Sequence, residues 1–396
     1  MNFDPHETHA LMDVAARPAQ VFVEGRGSWL VDRAGRRYLD FVQGWAVNAL
    51  GHCPPQIAQA LAAQSQKLVS AGPGLFNAPA AALAARLADL SSLERVFLCS
   101  SGAEANEGAI KLARKWGQVH RGGAYEIVTF VDGFHGRTLA TMSASGKPGW
   151  DALFAPQVPG FPKTRLNDLA SVEAALTPQT VAVMLEPIQG EAGVNVADDD
   201  FLRALRRLCD ERELLLIFDE IQTGIGRTGL LFGAQHASVR PDIMTLGKGL
   251  GGGVPLAALL AREEVAAAFA HGDQGGTYCG NPLMAAVGSA VLETVAALEF
   301  LAGVRERGEH LSQRLSGLAS QHGLAGERGR GLLRALDLGR PVAAQVAAAA
   351  LARQPEGLLV NAPRPHLLRF MPALNVSFEE IDLMAVMLDA ALGQVA

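Results

Sequence analysis

The sequence predicts an α/β fold, in which a large, mostly parallel sheet flanked by helices is joined to a smaller unit. Three observations carry this. Short apolar runs alternate with helix-period segments from about Pro54 onward, the pattern of βα repeats that set parallel strands between helical layers. The run Leu214 to Phe218 is apolar without interruption, as in a strand buried on both faces. It stops at a carboxylate, Asp219, and a glycine-flanked lysine, Lys248, follows 29 residues later.

The elements read in order as follows. The first dozen residues are expected to be mobile. From Val21, VFVEGRGSWLVDRAGRRYLDF reads as a small meander broken at Gly25 and Gly27, with a turn at Ala34-Gly35. QIAQALAAQSQKL and APAAALAARLADL read as helices, ERVFLCS as a strand, and AEANEGAIKLARKW as the helix it feeds. YEIVTFV, VAVMLEP, LLLIFDE, DIMTLGK and LAALLAR are further strands. After Asn281-Pro282 one long helix is expected from Leu283 to about Phe300, and a C-terminal unit mixes helices with the short strands LLRALDL and LLRFMP. The Ala-rich stretch Val342 to Ala352 is a helix-forming bias. The organisation expected is an N-terminal segment (1–53) packing with the small domain, a large domain (54–299) and a C-terminal small domain (300–396).

Composition narrows the function classes. At 396 residues and 49% hydrophobic, the chain can bury two cores and has no disordered bias. A net charge of −6 gives no basic footprint for nucleic acid. Cys53, Cys99, Cys209 and Cys279 lie far apart, which argues against a disulfide framework or structural zinc and for a reducing compartment. The polar start is unlike a signal peptide, and no apolar run reaches the ~18 residues of a membrane span. A cytoplasmic protein without membrane, metal or nucleic-acid partners is the expectation.

The chemistry sits at the predicted strand ends, where ligands bind in open α/β sheets. A buried carboxylate there needs a cation. Beside an amine free to react, Asp219 points to a pyridinium ring held as a lysine Schiff base, that is, pyridoxal 5′-phosphate. Ser100-Ser101-Gly102-Ala103 opens a helix after a strand and offers free N–H groups to a phosphate; the plain alternative is an N-cap serine and a glycine turn. Lys248 between Gly247 and Gly249 is open to close approach by a ligand, and desolvation would make its amine nucleophilic; an isolated lysine is otherwise a surface charge. Gly247, Gly249 and Gly252 satisfy G-x-G-x-x-G, but Gly253 and Pro255 continue the loop where a dinucleotide fold needs a helix. Phe134 can stack on a planar ring and Arg137 can grip a carboxylate, or they are a core aromatic and a salt-bridged arginine. His135 has no second ligand at metal spacing. Glu186 and Glu191 could serve acid/base chemistry, although carboxylates at strand mouths commonly pair with Arg or Lys.

SSGAEANEGAIKLAR, FHGRT, EPIQGEAG, FDEIQTGIGRTG, LGKGLGGG and GTYCGNPL, in this order, resemble the class III pyridoxal-phosphate aminotransferases from about Val21 to Asn375. FVQGWAVNALGH and EPIQGE resemble the acetylornithine/ornithine aminotransferase branch within them. The resemblance implies a fold-type I transferase with a smaller α+β domain built from both terminal segments.

It also implies roles. Lys248 would carry the cofactor and move the proton, and Asp219 would keep the pyridine nitrogen protonated. Gln222 would approach the phenolic oxygen, and Ile221 and Phe134 would pack on opposite ring faces. Ser101, Gly102 and Ala103 would hold the phosphate. Thr277 would reach the phosphate of a neighbouring subunit, making the sites shared in a homodimer. Arg137 would bind the carboxylate remote from the reacting amine, and Arg369 the α-carboxylate of glutamate or 2-oxoglutarate. Glu191 would neutralise Arg369 when a plain ω-amine is bound, and Trp45 would meet the substrate side chain. Tyr278-Cys279 and the bulky strand GRGLLRALDL depart from the pattern and bear on local packing and substrate fit.

The reaction implied moves the δ-amine of N2-acetyl-L-ornithine to 2-oxoglutarate, giving N-acetyl-L-glutamate 5-semialdehyde and glutamate in arginine biosynthesis. Ornithine, succinylornithine or 4-aminobutyrate are rival donors. An aminomutase or racemase, or a non-catalytic cofactor-binding protein, is the rival outside the class.

Overall fold

The computed structural model describes residues 10–395, so most of the mobile start expected over the first dozen residues lies outside the described residues. The centre is a seven-stranded sheet in the order Arg95–Cys99, Ala257–Ala261, Ile243–Leu246, Leu215–Asp219, Thr180–Leu185, Glu126–Phe130, Lys163–Thr164. All pairings are parallel except those on either side of Ala257–Ala261, which runs against its neighbours.

Alternation along each strand divides the interior into two layers. Val128, Phe130, Val183, Leu185, Leu216 and Phe218 face a core shared with Phe201, Leu205 and Leu208 of the helix Asp199–Glu211. Ile127, Ala182, Met184, Leu215 and Ile217 face the other way, onto Ala109, Ile110 and Ala113 of the helix Gly102–His120. Burial on both faces is why these strands are continuously apolar, with no polar alternation.

Both chain ends meet in one sheet. The strands Phe22–Arg26, Trp29–Asp32 and Arg37–Asp40 form the meander, and Gly357–Leu359 adds to it parallel to Arg37–Asp40. Gly25 lies inside the first strand and does not break it: it pairs with Leu30, and a Cβ there would fall 2.8 Å from His52 Cβ. A second antiparallel sheet, Gly326–Arg330, Leu333–Asp337, Leu367–Phe370 and Asn361–Arg364, presents Arg369 to the end of the large sheet.

The single helix expected after Pro282 is two, Pro282–Val295 and Leu298–His322, bent by 72°. Ala297 adopts extended backbone at φ −65°, ψ 132°. No proline or glycine marks the break. The first helix packs on Pro55–Ser65 and Ala78–Ser91, and the second on the C-terminal helix Phe378–Val395, so tertiary packing sets the bend.

Candidate active site

Strand direction gathers the chemistry. The parallel strands end along one edge of the sheet, and the segments that leave that edge carry Ser101, Phe134, Glu186, Glu191, Asp219, Gln222 and Lys248. Asp219, 3% exposed, is the last residue of its strand. Its Oδ2 accepts from Asn106 Nδ2 at 2.8 Å and from His135 Nδ1 at 2.8 Å, and its Oδ1 accepts from the Ile221 N–H at 3.1 Å. Asn106 donates a second bond to the His135 carbonyl at 2.7 Å and accepts from Thr245 Oγ1 at 2.7 Å. Three donors hold the carboxylate, and Oδ1 keeps a lone pair for one more.

The helix Gly102–His120 starts at this edge with a capping box. Ser101 Oγ accepts from the Glu104 N–H at 3.2 Å, and the Glu104 carboxylate accepts from the N–H groups of Ser101 and Ser100. The Ser101 amide is therefore taken. The N–H groups of Gly102 and Ala103 have no acceptor among the described residues, and they sit at the positive end of a 19-residue helix. Gly102 is required by crowding: a Cβ there would fall 2.6 Å from Ile221 Cδ1. Ile221 thus lies against the cradle, and Phe134 is held elsewhere on the edge by its N–H bond to Glu186 Oε1 at 2.8 Å.

Lys248 adopts φ +41° in a short 3-10 turn, Lys248–Leu250. Burial lowers its ammonium below the ordinary lysine range; the Glu191 carboxylate opposes that and the Arg369 charge adds to it. Arg369 is fully buried. Its Nη1 meets Glu191 Oε1 at 2.8 Å and the Gly190 carbonyl at 2.7 Å, and its Nε donates to Asn361 Oδ1 at 3.0 Å. Burial acts to raise the Glu191 carboxyl, but the charges of Arg369 and Lys248 outweigh it and hold it below the ordinary value. Arg369 Nη2 and Gln222 Nε2 are buried donors without a partner among the described residues. Gly190 makes room for Gln222, whose Oε1 would lie 1.5 Å from a Cβ at that position.

Glu186 departs from the pairing with Arg or Lys expected of a strand-mouth carboxylate. It bonds the Phe134 amide, and burial, with the Asp219 charge beside it, pushes its carboxyl well above the usual range. A neutral carboxyl that accepts one N–H bond avoids a second anion next to Asp219. Arg137 is exposed and lies over the Trp150 ring, with its Cζ 5.7 Å from the centroid. Thr277 is exposed, and Trp45 is 54% exposed at φ +62°; neither hydrogen-bonds the cluster within the chain among the described residues.

Sequence reasoning missed Asn106, Thr245 and the link from His135 to Asp219. Asn106 lies 113 residues from Asp219 on a helix face that reads as an ordinary polar position. The Ser101–Glu104 capping box was visible as S-x-x-E before a helix.

The free N–H groups of Gly102 and Ala103, the Ser101 hydroxyl proton, the open lone pair of Asp219 Oδ1, a Gln222 Nε2 without a partner among the described residues and a lysine whose ammonium burial lowers fit pyridoxal phosphate. With the sheet order, this set defines a fold-type I pyridoxal-phosphate transferase. The chain belongs to the family described as aminotransferase class-III, which matches residues 12–392. It is 60% identical over 395 residues to acetylornithine aminotransferase 2 of Bordetella bronchiseptica, with both chains fully covered. Among solved structures, N-acetylornithine aminotransferase of Stenotrophomonas maltophilia matches at TM-score 0.85 and 36% identity, over 98% of each chain. Ornithine aminotransferase of Toxoplasma gondii matches at TM-score 0.93 and 30% identity, over 98% of this chain and 94% of that one. The protein is a pyridoxal-phosphate-dependent aminotransferase of the acetylornithine/ornithine type.

Proposed function

We propose that the chain moves the δ-amino group of N2-acetyl-L-ornithine to 2-oxoglutarate, yielding N-acetyl-L-glutamate 5-semialdehyde and L-glutamate, as a homodimer with shared sites. The observation that carries this is the buried Arg369–Glu191 pair beside Lys248. A buried arginine with no partner disfavours a donor that has no carboxylate at that end, and Glu191 removes the penalty. When 2-oxoglutarate enters, its carboxylate takes the place of Glu191 on Arg369, and the free Nη2 supplies the second arm of a bidentate grip.

Pyridoxal phosphate, when bound, supplies the electron sink that makes the carbon next to the transferred nitrogen acidic. The chain does the rest. The Gly102 and Ala103 N–H groups and the Ser101 hydroxyl would hold the phosphate, and Asp219 Oδ1 would keep a proton on the ring nitrogen. Gln222 Nε2, a free donor, would face the phenolic oxygen, and Ile221 and Phe134 would flank the ring. Burial lowers the Lys248 ammonium, which would leave Nζ able to take and return the proton at the substrate carbon. Arg137 anchors the donor's remote carboxylate, Trp45 lines the side-chain pocket, and Thr277 completes the phosphate site of the neighbouring subunit. The full-length likeness to acetylornithine aminotransferase 2 supports the acetylated donor over ornithine.

The test is a single-turnover comparison of N2-acetyl-L-ornithine, L-ornithine and 4-aminobutyrate with holoenzyme, following bleaching of the cofactor's colour. The acetylated donor should react fastest and form one glutamate per turnover once 2-oxoglutarate is added. Faster bleaching by either unacylated amine sinks the donor assignment, and absence of glutamate sinks the transfer.

A further inference from the structure

Thr277 stands in a span that is fastened at both ends and free in the middle. Residues 273–280 read DQGGTYCG. At the near end, Lys111 Nζ donates to the Asp273 carbonyl and to Gln274 Oε1, the latter at 2.7 Å. Lys115 Nζ lies 3.2 Å from Asp273 Oδ2, and that oxygen also accepts from the Ala270 N–H at 2.8 Å. Gln274 lies against the same helix, Gly102–His120, where a Cβ at Gly108 would fall 3.2 Å from its Nε2. At the far end, Asn77 Nδ2 donates to the Gly280 carbonyl at 2.9 Å, and Asn281 caps the helix Pro282–Val295. Between these anchors come two glycines, which lose more freedom on ordering than any other residue. Thr277 itself is exposed and makes no hydrogen bond among the described residues. Its pose therefore follows from where the anchors hold the ends.

We propose that Lys111 is a positioning residue for the cofactor phosphate of the neighbouring subunit. The helix that carries it would hold the subunit's own phosphate at the N–H groups of Gly102 and Ala103. Lys111 lies nine residues beyond Gly102, about 14 Å along the axis, and fastens the segment that leads to Thr277. One rigid element would thus serve two sites, its own directly and the neighbour's through the span. The fastening is more than a surface ion pair. The Lys115–Asp273 contact is such a pair and contributes little, whereas Lys111 gives two charge-assisted bonds, one of them to the main chain. The inference rests on the reading that Thr277 completes the phosphate site of the neighbouring subunit.

The test uses hybrid dimers in which one subunit carries Lys248→Ala. Borohydride fixes pyridoxal phosphate only on Lys248, so cofactor fixed at increasing free concentration gives the affinity of the other subunit's site alone. Lys111→Met in the Lys248→Ala subunit, whose Thr277 would face the reporting site, should weaken that affinity about five- to tenfold, the size of one hydrogen bond's net contribution. The same change in the reporting subunit should alter it by less than about twofold. Lys111→Arg should restore most of the loss. Gln274→Ala removes an acceptor on the span and leaves the helix intact; in the Lys248→Ala subunit it should also weaken the reporting site. Thr277→Ala placed there should match Lys111→Met, and the two together should cost nothing further, since both act through one hydroxyl. Loss confined to the reporting subunit's own change, equal loss in both placements, no loss, or a further loss on top of Thr277→Ala overturns the proposal. If Thr277→Ala leaves the neighbour's affinity unchanged, the shared-phosphate reading falls and this one with it.

Discussion

Asp219 shows how single residues set the chemistry. Its Oδ2 carries two bonds, one from Asn106 and one from His135, and Asn106 is itself fixed by Thr245. Removing Asn106 frees three buried partners at once, and each unsatisfied buried group costs about 1–3 kcal/mol. Asn106→Leu is expected to unfold at lower denaturant and to bind pyridoxal phosphate at least tenfold more weakly in equilibrium dialysis. Thr245→Val, which removes only the outer bond, should lose less of both. Unchanged cofactor affinity in Asn106→Leu would separate this network from the ring nitrogen. Glu191→Gln tests the other end of the site. It should slow the half-reaction with an ω-amine about tenfold or more, because Arg369 keeps a buried charge without its carboxylate. The half-reaction with glutamate, measured by stopped flow, should be no slower.

Among the elements, the helix Gly102–His120 depends most on one small residue. Its first turn must pass Ile221, and a Cβ at 102 would lie within 2.9 Å of two Ile221 carbons. Gly102→Ala is expected to cost about 1–3 kcal/mol of stability through overpacking, and to weaken cofactor binding because Ile221, packed against the N-terminus that would hold the phosphate, must shift. Shortening the neighbour in Gly102→Ala/Ile221→Ala should recover stability, measured by urea denaturation. A double variant no more stable than Gly102→Ala would place the cost in the backbone instead. The helix was legible in order and type, with an N-cap serine as one reading of its start, since the 3.6-residue period and the cap are local. The break between Pro282–Val295 and Leu298–His322 was not, because no residue at 296–297 disfavours helix and only the two packing partners differ in direction.

At the scale of the whole molecule, the buried Glu220 couples the sheet end to the loop that follows it. Its carboxyl accepts from the N–H groups of Gly233 and Ala234 and from Thr223 Oγ1. Burial pushes it from an ordinary 4.5 up to about 7, against those bonds. Between 4.5 and about 7 the folded chain therefore holds a proton that the unfolded chain has lost. This contribution is fully present below pH 4.5 and disappears as pH rises through about 7, an effect on the order of 3 kcal/mol. Glu186 shifts in the same direction. Stability measured by denaturation from pH 5 to 8 should fall in wild type, and Glu220→Gln should remove part of that slope. A variant with the full wild-type slope would locate the titration elsewhere.

The sequence by itself determined six of the seven strands of the large sheet, the carboxylate closing the central one and the glycine-flanked lysine. Burial on both faces demands an uninterrupted apolar run, and a charge at its end is conspicuous. The ordered motifs also carried the family. Only the tertiary structure decided that Asn106 and His135 converge on Asp219, that Glu186 bonds an amide and not a cation, and that Lys111 fastens the segment before Thr277. Those contacts join residues on different elements, and polar side chains on separate elements leave no periodic trace in the chain until the sheet brings their ends together.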